Sequence, residues 1–187
     1  MKALVDVDGV VSDFVGGLLS RLDEAGQDHG IDIETLGPRH MFDYMSPAVE
    51  QVAHDIVSSS GFASNLPVIK GAVDGVNNLI NLGYKVVFVT APWKPSKTWC
   101  YDRHWWLRQH FPSECDIIFT SAKEHVVGDI LIDDYLPYLV KWTLAHPSKK
   151  GMVYDQPWNR DVGKQHMRVN WSSLPSLLGD GLGYDVT

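Results

Sequence analysis

The sequence predicts an α/β fold: a doubly wound parallel sheet with a small helical cap inserted after the first strand. Two observations support this prediction. Several short apolar runs do not alternate with polar residues, which is typical of strands buried on both faces of a parallel sheet. Segments with apolar residues at helical spacing separate these runs, and strands alternating with helices indicate a doubly wound sheet.

The predicted strands are short apolar runs, mostly bounded by polar residues or glycine. In chain order they cover Ala3–Val7, Lys85–Thr90, Asp116–Thr120, Asp129–Asp133 and Gly151–Tyr154.

Helical patterns lie between the strands. Ala72–Leu82 is followed by Gly83, a favoured residue just after a helix. We expect Ser96 to cap a helix that runs to about His110, and Tyr135–Ala145 to form another helix. The residues predicted to pack inward are Val73, Val76, Leu79, Ile80, Trp99, Trp105 and Trp106, whereas Arg103 and Arg108 are predicted on a solvated face.

The stretch from residue 14 to 67 interrupts the alternation, because it contains helical patterns but no convincing strand. Phe14 begins one helix, and Ser46 followed by Pro47 reads as the cap and first residue of a second. Ligands of open α/β sheets bind beyond the carboxyl ends of the strands, so this insertion would cover the site. We therefore predict an α/β core over 1–13 and 68–178, a helical cap over 14–67 and a flexible tail over 179–187.

Composition excludes some functions. The formal charge of −7 over 187 residues argues against a protein that binds a nucleic acid polymer through a basic face. Cys100 and Cys115 show no metal-ligand or CxxC spacing, so we interpret both as free thiols in a reducing compartment. No run approaches the length of a membrane span and no signal peptide is recognisable. We expect a cytoplasmic protein without a membrane partner.

Polar residues collect where the predicted strands end. Asp6 and Asp8 would share one face of a continuing strand, so their carboxylates repel unless a partner such as a cation is bound. A parallel sheet would bring to the same rim three further features, which are Thr90, Lys123 and the pair Asp133-Asp134.

This set of groups is what Mg²⁺-assisted phosphoryl transfer requires. Mg²⁺ prefers hard oxygen ligands, and a carboxylate can attack phosphorus to form an aspartyl-phosphate. Each group also has an ordinary interpretation: DxD as a turn, Lys123 as a surface lysine, and Asp133-Asp134 as the cap of the helix that follows. The occurrence of all of them in order favours catalysis.

The motifs DVDGV, VVFVT, a later Lys123 and LIDD, in this order, resemble the haloacid dehalogenase (HAD) phosphatase superfamily. The longer stretches DVDGVVSDF, GF, PVIKGA, VTAPW and AKEHVVGDILIDD resemble the pyrimidine-type 5′(3′)-deoxyribonucleotidases, over most of the chain from Ala3 to about Trp171. The resemblance implies a HAD-like Rossmannoid core and a Mg²⁺-dependent phosphomonoesterase that hydrolyses (deoxy)ribonucleoside monophosphates.

The same resemblance implies roles for individual residues. Asp6 is then the nucleophile, Asp8 the general acid and base, Thr90 a phosphate donor and Lys123 the neutralising cation. Metal ligands implied in this way are Asp6, the backbone carbonyl of Asp8, and Asp134, with Asp133 either as a supporting ligand or as a neighbour of the ligands that does not contact the metal.

The family binds its base between aromatic side chains of the cap and the rim. The aromatic residues at matching or plausible positions are Phe14, Phe42, Phe62 and Trp93. Ala91, also predicted to contact the substrate, stands after Thr90, where a serine would be a further phosphate donor. Phe14 and Phe62 could equally be core residues of the cap. Trp93 and Ala91 depart from the family pattern, where an aliphatic residue and a serine are more usual.

Other functions remain to be distinguished. The same chemistry on a sugar phosphate or another small phosphate ester is the alternative enzyme. A phospho-accepting receiver is excluded by motif order, because its acidic pair precedes the acceptor aspartate. A HAD domain that only binds ligands is disfavoured by the complete motif set. Relatives of this kind are often dimers, so a homodimer stays open.

Overall fold

The computed structural model describes residues 1–161 and 165–179, and its centre is a six-stranded parallel sheet. The strands are β1 Lys2–Val5, β2 Lys85–Thr90, β3 Asp116–Phe119, β4 Ile130–Asp133, β5 Lys150–Tyr154 and β6 Met167–Val169. Their spatial order is β3-β2-β1-β4-β5-β6, with every neighbouring pair parallel. From β1 the chain adds β2 and β3 on one side, and then crosses over to add β4, β5 and β6 on the other side. The topological switch point therefore lies between β1 and β4, and α/β proteins bind ligands at such a point. The predicted fold class is confirmed.

In the described residues, six α-helices accompany the sheet. They are α1 Phe14–Glu24, α2 Pro47–Ser58, α3 Ala72–Asn81, α4 Trp99–His110, α5 Leu136–Ala145 and α6 Leu174–Gly179. Short 3-10 turns cover Ile33–Thr35, Met41–Tyr44, Lys123–His125 and Pro157–Asn159.

Alternate residues of the central strands enter two separate cores. Ala3 and Val5 of β1 join a cluster that includes side chains of α3, α4 and α6, whereas Leu4 joins a cluster with Leu139 and Trp142 of α5. Both faces of the sheet are therefore covered, which is why the strands read as continuous apolar runs.

The insertion between β1 and α3 has a hydrophobic core of its own. Side chains of α1, α2 and the Met41–Tyr44 turn form this third cluster, to which Trp99 of α4 also belongs. The chain enters and leaves the insertion side by side, since Asp13 donates its N–H to the carbonyl of Pro67 at 2.8 Å. We propose the cap boundaries of 14 and 67 on this basis.

Several sequence expectations need correction. Helix α4 starts at Trp99 with Thr98 at its N-cap, so Ser96 does not cap it. Val73 and Trp105 were expected to pack inward, but both are exposed. The short strand β6 and the helix α6 were not predicted. Of the predicted tail, residues 180–187 lie outside the described residues.

Arg103 is the largest departure, because it was expected in solvent and is completely buried. Arg108 is only partly buried and donates to the carbonyls of Ser113 and Cys115.

Candidate active site

The carboxyl ends of three neighbouring strands carry the polar groups singled out in the sequence. Asp6 follows β1, Thr90 ends β2 and Asp133 ends β4, and all three are buried. Lys123 approaches the same rim from the turn after β3. The register of a parallel sheet thus brings together groups that are far apart in the chain.

The Lys123 ammonium bridges two of these carboxylates. Its Nζ lies 2.7 Å from Asp6 Oδ1 and 2.7 Å from Asp133 Oδ2, and the side chain is inaccessible to solvent. Burial alone would lower the pKa of Lys123, but the charges and hydrogen bonds of Asp133 and Asp6 outweigh it and raise that pKa above its usual value. Lys123 is therefore a fixed positive charge beside Asp6.

Asp6, Asp133 and Asp134 form a buried carboxylate cluster. In the described part of the chain, one oxygen of each lies within 4.8 Å of the others. Burial, with repulsion from Asp6, raises the pKa of Asp134 well above its usual range, and burial also raises the pKa of Asp133 against the pull of Lys123. Three hard oxygen donors with more negative charge than one lysine balances are a suitable donor set for a divalent cation such as Mg²⁺.

Asp8 faces Arg103 across the interior. The guanidinium donates to Asp8 Oδ1 at 2.5 Å and to Ser12 Oγ at 3.0 Å. It also lies over the rings of Trp99 and Trp106. About a quarter of the Asp8 side chain stays exposed. Burial of the carboxyl raises the pKa of Asp8 to about 6, although Arg103 opposes this shift. Asp8 can therefore hold or release a proton near neutral pH.

Gly9 is required where it stands. Its φ is +78°, and a Cβ at this position would lie 2.3 Å from Asp134 Oδ2. Only glycine allows the chain to leave β1 so close to that carboxylate.

Thr90 Oγ1 is the hydroxyl expected to contact a ligand. It is buried and, within residues 1–161 and 165–179, has no hydrogen-bond partner. A buried hydroxyl usually has one, so a ligand oxygen is a suitable acceptor.

A cavity of about 630 Å³ opens above these groups. Its floor includes Asp6, Asp8, Thr90 and Lys123, and its walls carry several rings. The rings are Phe14, His40, Trp93, Trp99, Tyr135 and Tyr138.

Phe42 and Phe62 do not line this cavity. Both are buried in the cap, where Phe42 packs on Trp93 and Phe62 contacts Phe14. They stand behind rings that do face the cavity, whereas Phe14, Ala91 and Trp93 line it.

Sequence reasoning missed Arg103, Tyr135 and Tyr138 as parts of the site. Tyr135 and Tyr138 pack edge to face, and Lys123 Nζ lies 4.8 Å from the Tyr138 ring centre. The sequence did contain a signal for the two tyrosines. They follow Asp133-Asp134 directly, with Tyr135 at the N-cap and Tyr138 in the first turn of a helix that starts at the rim.

The chain is similar to proteins of known family. The family model described as 5′ nucleotidase, deoxy (pyrimidine), cytosolic type C protein (NT5C) matches residues 1–178. A Bordetella bronchiseptica protein, provisionally named 5′(3′)-deoxyribonucleotidase, is 28% identical over an alignment of 189 residues, gaps included. The alignment covers 97% of this chain and 97% of that protein. The mitochondrial 5′(3′)-deoxyribonucleotidase of Mus musculus is 30% identical over 141 residues, or 72% of this chain and 64% of that protein.

Among solved structures, a HAD family hydrolase from Deinococcus radiodurans, crystallised with phosphate and sodium, has a TM-score of 0.59 at 15% identity. The superposition covers 96% of this chain and 95% of that one. This likeness concerns the fold. None of the helices in the described residues has both the length and the apolar character to span a bilayer.

Proposed function

Because the chain belongs to the family of cytosolic type C deoxy (pyrimidine) 5′ nucleotidases and is a phosphomonoesterase of HAD type, we propose that it hydrolyses deoxyribonucleoside monophosphates with Mg²⁺ through an aspartyl-phosphate. The observation that carries this proposal is the meeting of Asp6, Asp8, Thr90 and Lys123 on the floor of one aromatic-walled cavity.

Asp6, Asp133 and Asp134, with the backbone carbonyl of Asp8, would hold the Mg²⁺. When bound, the ion would add positive charge beside the phosphate oxygens, where charge must be neutralised for an anionic nucleophile to approach. The three-carboxylate cluster supports this assignment.

In the first step, a carboxylate oxygen of Asp6 attacks phosphorus. The new bond joins Asp6 to the phosphoryl group, and the bond between phosphorus and the sugar oxygen breaks. Asp8 gives its proton to that oxygen, so that a neutral nucleoside leaves. Lys123 and the Thr90 hydroxyl stabilise the transferring phosphoryl oxygens. The raised pKa of Asp8, about 6, supports its role as the acid.

In the second step, water attacks the phosphorus of phospho-Asp6. Asp8, now a carboxylate, takes a proton from that water, and the bond between phosphorus and Asp6 breaks. Inorganic phosphate leaves and the Asp6 carboxylate is restored. The contact of Arg103 with Asp8 Oδ1 keeps the carboxylate in place between the steps.

The cavity walls support a nucleoside as the leaving group. A planar base gains favourable contacts by packing against rings, and Phe14, Trp93 and Tyr135 are among the aromatic residues that line the cavity. A sugar phosphate would leave these rings without a flat partner.

A panel of phosphate esters assayed with Mg²⁺ tests the substrate. It should include pyrimidine and purine deoxyribonucleoside 5′- and 3′-monophosphates, the matching ribonucleotides, and sugar phosphates. We expect phosphate release to be fastest from a deoxyribonucleoside monophosphate. Efficient turnover of sugar phosphates with none of any nucleotide would refute the proposed substrate class.

The covalent step is tested with two variants and a control. Asp6→Asn should abolish turnover. Asp8→Asn lacks the base of the second step, so with an aryl phosphate, whose leaving group needs no proton, it should accumulate protein heavier by one phosphoryl group in intact-mass measurements. The exposed Asp116→Asn, on the surface beside Lys85, should keep normal turnover. Full activity of Asp6→Asn would exclude this mechanism.

The free thiols Cys100 and Cys115 support the expectation of a cytoplasmic protein. A homodimer also remains a proposal, which mass measurement in solution can test.

A further inference from the structure

The segment that follows β5 has no part in the reaction as proposed, yet it contacts the site at three points. Gln156 Nε2 donates to the carbonyl of Gly9 at 2.6 Å. Asn159 Nδ2 donates to the carbonyl of Asp134 at 2.9 Å, and the side chain of Trp158 reaches the carboxylate of that residue.

Trp158 makes the contact that bears on chemistry. Its indole Nε1 donates to Asp134 Oδ2 at 2.9 Å. An indole nitrogen is a donor only, so this hydrogen bond favours an ionised carboxylate oxygen in one orientation. The ring itself packs against the hydrophobic cluster of the cap. One side chain therefore joins the carboxylate cluster to the cap.

Asp134 needs such a partner. It is buried beside Asp6 and Asp133, whose charges repel it. Lys123 bonds the other two carboxylates of the cluster and not this one. Among the contacts of the described residues, the Trp158 N–H is the side-chain donor to the Asp134 carboxylate. Without it, repulsion would favour rotation of the carboxylate away from the cluster.

We propose that Trp158 is a positioning residue for the metal: its indole N–H fixes the Asp134 carboxylate in the orientation that binds Mg²⁺, and its ring anchors that carboxylate to the cap. This inference rests on the proposed function, in which Asp134 is a metal ligand. Removal of a hydrogen bond to a metal ligand typically weakens metal binding by about 10–100-fold.

The test is a calorimetric titration of the purified protein with Mg²⁺ in the absence of substrate. Trp158→Phe keeps an aromatic ring against the cap and removes the N–H together with part of the indole ring system, a truncation that the control variant below shares. We expect its Mg²⁺ affinity to fall by about 10-fold or more. Turnover should be lost at low Mg²⁺ and recovered at high Mg²⁺, which a general loss of structure would not allow.

Trp142→Phe is the matched control. Trp142 is a fully buried tryptophan whose Nε1 donates to a carbonyl, that of Val126, at 2.9 Å on the α5 side of the sheet. Its variant should bind Mg²⁺ as tightly as the unaltered protein. Equal Mg²⁺ affinity of Trp158→Phe and Trp142→Phe would overturn the proposal.

A measurement on the unaltered protein covers the case in which Trp158→Phe does not fold. With ¹⁵N-labelled tryptophan, the indole N–H resonance of Trp158 should shift when Mg²⁺ is added, and that of Trp142 should not. A Trp158 resonance that stays in place while calorimetry records Mg²⁺ binding overturns the role of Trp158 alone. Absence of any Mg²⁺ binding would instead refute the metal site of the proposed function.

Discussion

Substitution of Gly9 by alanine tests how closely the chain passes the Asp134 carboxylate. The added Cβ would lie 2.3 Å from Asp134 Oδ2 and 2.6 Å from Cγ, whereas ordinary contact begins at 3.4 Å. The carboxylate therefore has to move by about 1 Å, which perturbs its 2.9 Å hydrogen bond from Trp158 Nε1.

The substitution has two effects, one on the stability of the fold and one on turnover. The φ of +78° at Gly9 is in the left-handed region, where a residue with a Cβ costs about 1–2 kcal/mol. Displacement of Asp134 adds a functional cost, because a misplacement of about 1 Å in a catalytic group lowers the rate by roughly 10²-fold. We expect Gly9→Ala to lose at least that much in kcat/KM.

Gly83→Ala separates the two costs. Gly83 has a φ of +82°, and nothing lies within 4 Å of an added Cβ, so it carries the backbone cost alone. Urea unfolding should show a loss of about 1–2 kcal/mol for Gly83→Ala and a larger loss for Gly9→Ala, whose Cβ also displaces a buried carboxylate, and phosphate-release kinetics should show the loss of turnover only in Gly9→Ala. Normal turnover of Gly9→Ala would refute the close approach to Asp134.

Three further predictions concern the charged groups of the site. Lys123→Met leaves Asp6 and Asp133 buried without their cation, so the free energy of unfolding in urea at pH 7 should fall by about 3–5 kcal/mol, and unchanged stability would contradict the buried bridge. Arg103→Met removes the partner of Asp8 and should reduce both turnover and melting temperature, whereas Arg108→Met, whose contacts lie near the surface, should keep its turnover; equal turnover of the two variants would contradict the Arg103 contact. Chelation by EDTA should abolish phosphate release, and Mg²⁺ at 100 times its dissociation constant should then restore it and stabilise the fold by about 2.7 kcal/mol; turnover that persists in EDTA would count against the metal site.

The sheet could be predicted because its strands obey a simple rule. A strand buried on both faces has to be largely apolar. This rule predicted β2 with the same first and last residues that the structure shows, Lys85 and Thr90. Strand β6 was not predicted because it has only three residues, with Arg168 at its centre, and lies at the edge of the sheet. A short edge strand needs no apolar run, so its sequence resembles a loop.

The family was predictable because its motifs are local in sequence, and the match over residues 1–178 confirms that resemblance. Contacts between distant segments were not predictable in the same way. Arg103 contacts Asp8 across 95 positions of the chain, and no helical periodicity distinguishes an arginine that faces such a partner from one that faces solvent. Trp158 illustrates the same point for Asp134.

The order of strands in the sheet has a consequence for synthesis. Val5 pairs with Ile132, so the strand that precedes Asp6 leaves the ribosome long before the strand that ends at Asp133. At about 5–20 residues per second, the delay is on the order of 10 s. During that time the apolar residues Ala3–Val5 lack at least one of their two neighbouring strands, β2 and β4. A nascent chain in this condition is exposed to aggregation and is a suitable client for chaperones.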